Sequence, residues 1–235
     1  MATLQEIRVS IQRVIVDDDY GEVEIDADIN IALQAIAGGI IMPNGSLSPP
    51  LPDLHTMTTV QTDTTLPYIS LPDNYQRQVF YASDSSDFRI WPVEGGDFYA
   101  FTLFMNAAIK KDLSLQGSVT NISIKGNRLY YQGIPSAASD ITLQYYRKPA
   151  ALFAGTDIPE GVPSHLALPL LKHYVCKEIF GEGIEDGENQ SGRGQAYHEK
   201  KFYELMETMN RFNGEDAEPE YYGVSGSGYD PRDDW

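Results

Sequence analysis

Pro163-Ser-His-Leu-Ala-Leu-Pro-Leu-Leu-Lys-His-Tyr-Val-Cys-Lys-Glu-Ile-Phe180 is the stretch on which the fold turns. Ser164 can cap a helix, and Leu166, Leu170, Leu171, Tyr174, Val175 and Phe180 follow at helical spacing. A face this apolar must be buried against other elements. Pro169 falls near the first turns and marks either the true start of the helix or a kink. A glycine-rich acidic loop, Gly181 to Gly194, comes next. Tyr197 to Phe212 then carries Phe202, Leu205, Met206 and Met209 on one side, which predicts a second helix.

The opposite end of the chain offers matching faces. Thr3 and Glu6 form a capping box, and Leu4, Ile7, Ile11, Val14 and Ile15 recur along one side of a first helix. Asp17, Asp18 and Asp19 lie where the helix dipole is negative, so the helix should stop there. A further helix should begin after Asp26 or Asp28, bury Ile29, Ala32, Leu33 and Ile36, and end at Gly38-Gly39. Pro43 to Pro52, with four prolines, Asn44-Gly45 and two serines, should be an extended connection.

Between these helical ends the pattern changes. Thr58 to Pro149 is built of short runs rich in Val, Ile, Thr, Tyr and Phe, broken by Pro, Gly, Asn and Asp. Val119 to Lys125, Gly126-Asn127 and Arg128 to Gln132 predict a hairpin with a II′ turn. Asp140 to Arg147 alternates Ile141, Leu143 and Tyr145 against Thr142, Gln144 and Tyr146, as a half-buried strand does. Asp97 to Ala108 fits both periods, so helix and strand both stay open there.

The expected class is therefore α+β, a helical bundle built from both chain ends with an inserted antiparallel β-rich region and an extended C-terminal tail. Its parts are a helical hairpin over 1–42, a proline-rich connection over 43–57, the β insertion over 58–149, the closing helices over 150–213 and the tail over 214–235.

Composition narrows the function. With 17 Lys and Arg against 34 Asp and Glu, the net charge is -17, and the cationic footprint of a phosphate-gripping protein is absent. An acidic surface lining a channel would instead repel DNA passing through it. The single cysteine, Cys176, excludes an internal disulfide and falls among apolar residues, where an inert buried thiol is expected. The first residues lack a basic, apolar leader, and the apolar runs are too short for a membrane span, so a soluble chain made in the cytoplasm is expected.

Motifs for chemistry fail on spacing. If Gly21 took the invariant glycine position of a calcium loop, Val16, Tyr20 and Ala27 would fall at ligand positions, and none offers a carboxylate. His165 and His173 lack the i, i+4 relation of a helical zinc pair; His173 is expected to be a bundle residue, and His198, beside Glu199 and Lys200, a solvated helix start. No phosphate loop, dinucleotide fingerprint or nucleophile elbow is present. Catalytic, metal and cofactor sites are accordingly not expected, and the chain is read as a non-enzyme. The tail is different. Tyr221, Tyr222, Tyr229 and Trp235 stand on a segment that cannot fold alone, and aromatics of this kind are interface anchors, so they are the expected partner-docking residues.

Several stretches together resemble the phage head-to-tail adaptor family. They are Thr58-Thr-Val-Gln-Thr-Asp-Thr-Thr-Leu-Pro-Tyr-Ile-Ser-Leu-Pro-Asp-Asn-Tyr-Gln-Arg, then Gly126-Asn-Arg-Leu-Tyr-Tyr-Gln-Gly-Ile-Pro, then Ile141-Thr-Leu-Gln-Tyr-Tyr-Arg-Lys-Pro. The proline-marked run Ile158-Pro-Glu-Gly-Val-Pro-Ser-His-Leu-Ala-Leu-Pro-Leu-Leu and the charged helix from Tyr197 to Arg211 complete the likeness, which spans roughly residues 58 to 212. The resemblance implies a structural subunit of the virion neck that self-associates into a ring, twelve-fold in that family. Such a subunit binds the portal protein on one side and a tail or nozzle protein on the other, lines the DNA exit channel, and has no sequence-specific nucleic-acid or membrane partner. The alternative reading is a virion sugar- or receptor-binding β-rich module, suggested by the tyrosine-rich middle.

Overall fold

A computed structural model describes residues 2–15, 20–92, 116–131, 133–181 and 191–213. These residues divide into two compact units. One is made of the chain through Leu54 and from Lys148 onward; the other is His55–Arg147.

The first unit is helical. Helix α1 (Leu4–Gln12) opens on the capping box: the Glu6 N–H donates to Thr3 Oγ1 at 3.3 Å, and the Thr3 N–H donates to Glu6 Oε2 at 3.0 Å. Helix α2 (Glu22–Gly38) starts before Asp26 rather than after Asp26 or Asp28. The reason is electrostatic. Glu22 and Glu24 suit the positive end of the helix dipole, and Arg8 on α1 reaches across to Glu22 at 2.8 Å and, through Nε at 2.7 Å, to Asp26. The connection after α2 is also not simply extended. A tight turn at Asn44-Gly45, with Gly45 at φ +82°, folds Ile41 back to pair with Leu47, and Pro52–Leu54 form a 3-10 turn.

Helix α3 (Ser164–Gly181) carries Pro169 inside it, so that proline does not mark its start. Helix α4 (Ser191–Asn213) begins within what spacing assigned to the acidic loop; residues 182–190 of that loop lie outside the described residues. Leu4, Ile7 and Ile11 of α1, Ile29, Leu33 and Ile36 of α2, Leu170, Leu171 and Cys176 of α3, and Phe202, Met206 and Met209 of α4 share one apolar core. The two chain ends thus bury each other's faces. Helix α3 is apolar nearly all round because α1, α2 and α4 all pack on it.

In the second unit the described strands are β1 (His55–Gln61), β2 (Tyr68–Ser70), β3 (Tyr75–Asp84), β4 (Arg89–Pro92), β5 (Asn121–Lys125), β6 (Arg128–Tyr131) and β7 (Asp140–Arg147), in the sheet order β1-β7-β3-β4-β5-β6-β2. β1 starts at His55 rather than Thr58 and pairs with β7 along its whole length, His55 opposite Tyr146 and Gln61 opposite Asp140. All described pairs are antiparallel except β4 with β5. The predicted hairpin is present, with Gly126 at φ +58° supplying the first position of the II′ turn. β7 coincides with the predicted strand, but Tyr146, expected on the outer face, is buried against Phe80 and His55. β3 slips register three times against β7, and Gln78 takes φ +49° within that bulged run. The segment Asp97 to Ala108 lies outside the described residues.

Candidate functional site

The most sharply built surface of the helical unit is the loop between Lys148 and Pro163. Asn30 of α2 grips it across a large sequence separation: the Leu152 N–H donates to Asn30 Oδ1 at 2.8 Å, and Asn30 Nδ2 donates to the Leu152 carbonyl at 3.0 Å and to the Asp26 carbonyl at 2.9 Å. Asp157 Oδ2 accepts the N–H groups of Phe153 and Ala154, each at 2.8 Å, and these donors hold its carboxyl below the usual range. The loop in turn caps α1, whose Leu4 and Gln5 N–H groups donate to the carbonyls of Asp157 and Gly155.

With its backbone tied at so many points, the loop sends Leu152 into the core and Phe153 outward, 86% exposed. Ala151, Ala154 and Ile158 are exposed beside it. An aromatic ring held in water by a rigid loop has little conformational entropy left to lose on binding, which suits it to anchor a partner.

A shallow cleft of about 760 Å³ runs along the outer face of α1, lined by Ala2, Gln5, Val9, Ser10, Arg13 and Leu168 among others. Its Glu6 is engaged in the capping box, and Arg13 is exposed at its far end. Phe153 does not line this cleft.

Histidine placement departs from expectation. His198 is not a solvated helix start but 5% exposed, two turns inside α4, with its Nδ1 2.8 Å from Nδ1 of His173 on α3. One ring must donate and the other accept, so the pair cannot both be imidazolium. Burial, then His173 and Lys172, push the His198 imidazole down to about 4. Among the described residues no group of three metal-ligating side chains converges here or elsewhere.

The β unit has a cleft of about 500 Å³ lined by Asp84, Gln116, Ser118, Ser136, Ser139 and the side chains of Ile90 and Ile141, among others. Among the described residues its lining has one carboxylate, Asp84, which already accepts the N–H groups of Ser86 and Phe88, and no aromatic ring. No helix among the described residues is long and apolar enough to cross a membrane.

The family model of the SU10 adaptor protein matches residues 2–225. The chain belongs to the SU10 adaptor protein family. It is thus a phage adaptor, a structural virion component of head-to-tail type. No curated protein matches it. In this adaptor the four tail aromatics, Tyr221, Tyr222, Tyr229 and Trp235, lie outside the described residues. Sequence reasoning passed over Phe153 because the run Ala150-Ala-Leu-Phe-Ala154 has neither helical nor strand period. The signal that could have found it is an apolar run held between Pro149 and Pro159.

Proposed function

We propose that this adaptor forms a ring that joins the portal to the tail in the phage neck and surrounds the DNA exit path. The observation that carries the reading is the family match over residues 2–225. The net charge of -17 supports it, since a channel wall of this sign repels DNA and lets it slide. The helical unit meets the portal and repeats around the ring. The β unit faces outward or toward the tail proteins. The tail aromatics dock on the portal or on a neighbouring copy. The work is mechanical: heterologous contacts that close give a symmetric sleeve.

Co-sedimentation of purified chain with portal assemblies from the same phage tests this. Saturable binding at a fixed number of chains per portal is expected; failure to bind, with the chain cooperatively folded, overturns the reading. Truncation after residue 213 should lower portal affinity by at least about 10-fold while leaving the melting temperature unchanged, because a docking segment contributes to binding and not to the folded core.

A further inference from the structure

We propose that the outer face of helix α2, with Phe153 beside it, is the surface that takes hold of the portal, and that the portal meets it with apolar side chains inside a rim of Lys and Arg. This rests on the adaptor reading above and names the surface and the chemistry that reading leaves open.

A helix on the outside of a bundle ordinarily turns its apolar residues inward and its polar ones to water. Helix α2 does not. Ile25, Ile29, Ala32, Leu33 and Ile36 are buried, yet Val23, Ala27 and Ile31, four residues apart, form a second apolar stripe on the opposite side. Val23 is 78% exposed and Ile31 59%. From Ile29 to Ala37 only Asn30 and Gln34 are polar, and Asn30 is engaged by the Leu152 backbone. Because Asn30 stands three residues from Ala27, the loop it holds borders the stripe, and the residue after Leu152 is the exposed Phe153. Exposed hydrophobics scattered singly are ordinary; a stripe of them along one helix, with a fixed aromatic at its edge, marks a place where another protein sits.

Charge selects the occupant. No Lys or Arg occurs between Arg13 and Arg77, so α2 brings no cation of its own. Glu24 is exposed beside the stripe, the Glu22 side chain is 66% exposed, and the loop carries Asp157 and Glu160 against Lys148. Carboxylates that accept hydrogen bonds stay anionic, so the field at this face keeps its sign. Arg8 reaches α2 from α1, but its side chain is only 15% exposed and is bound to Glu22 and Asp26. An apolar strip in such a field refuses DNA and an anionic membrane, and it disfavours a second copy of a chain whose net charge is -17. It accepts a different protein of positive sign, whose basic rim speeds encounter and fixes register while the apolar centre holds the complex.

The test is co-sedimentation with portal assemblies from the same phage, across chain concentration and at low and high salt. It uses the full chain and three variants at exposed positions, Ile31→Gln, Phe153→Gln and Glu24→Lys, with circular dichroism and melting to show that each folds. Wild type is expected to bind saturably and to weaken at least about 10-fold as salt rises. Ile31→Gln and Phe153→Gln, which change no charge, should each bind at least about 10-fold more weakly at either salt. Glu24→Lys should bind about 5-fold more weakly at low salt and approach wild type at high salt, where the rim charges are screened.

Ile31→Gln and Phe153→Gln chains that bind the portal as wild type does remove this surface and leave the adaptor reading standing. Binding that is indifferent both to salt and to Glu24→Lys overturns the basic rim. Sedimentation velocity of the chains alone covers the other occupant: a Gln variant that loses self-association while keeping its portal affinity assigns the face to a second copy and overturns the proposal. Folded wild type that fails to bind the portal takes down the adaptor reading and this inference with it.

Discussion

His198 shows how one side chain can set a pH limit on a helix pair. Its ordinary pKa of 6.5 falls to about 4 in the folded chain, so between those values the unfolded chain binds a proton that the folded chain refuses. The sign follows: the α3–α4 pairing is at full strength above pH 6.5 and weakens as pH falls toward 4, by up to about 3 kcal/mol. In the His198→Gln variant that slope should shrink to what His173 contributes, since burial lowers that imidazole as well, and urea melts at pH 7 and pH 4.5 would check it. The residue was legible in principle, since 198, 202, 206 and 209 lie on one helical stripe with buried Phe202, Met206 and Met209. It was missed because Glu199 and Lys200 made the local sequence look solvated. Gly161 is the second residue of this kind. At φ +78°, an added Cβ would lie 2.9 Å from Leu54 Cγ and 3.0 Å from Leu51 Cδ1. Gly161→Ala should cost about 2–4 kcal/mol in a denaturant melt, and nothing in a single-sequence pattern signals that crowding.

At the scale of elements, legibility tracks how local the causes are. The capping box of α1, the Gly126-Asn127 turn and the alternation of β7 from Ile141 to Tyr145 are decided by residues within a few positions of one another and stand in the structure; Tyr146 breaks the alternation because Phe80 and His55 of other strands bury it. The Lys148–Pro163 loop is decided by Asn30, more than a hundred residues away, so no local pattern could reveal that it is rigid. The same holds for the start of α2, which depends on Arg8 reaching Glu22 and Asp26 from another helix. Asn30→Ala should leave the Leu152 N–H and carbonyl without their partner and cost about 2–3 kcal/mol. It should also raise amide exchange at Leu152 to Ala154 far above that of the helix cores, a hydrogen-exchange experiment that separates loop release from global unfolding.

For the whole molecule, the long-range argument from helical faces was the informative one. Two apolar-faced helices at each end of a chain with a β-rich middle cannot each bury themselves alone, and their meeting in one core made the middle an insertion. That insertion begins and ends on paired strands, with His55 opposite Tyr146, so its two ends lie side by side. Replacing residues 55–147 with a short glycine-serine linker should therefore leave a helical unit that still melts cooperatively, as circular dichroism would record. The net charge of -17 operates at this scale too, favouring solubility over nucleic-acid binding. Imaging the chain bound to its portal by electron microscopy tests the adaptor role most directly. A closed ring of chains stacked coaxially between portal and tail is the expected density. Copies scattered on the outside of the particle, with no ring around the DNA path, would contradict it.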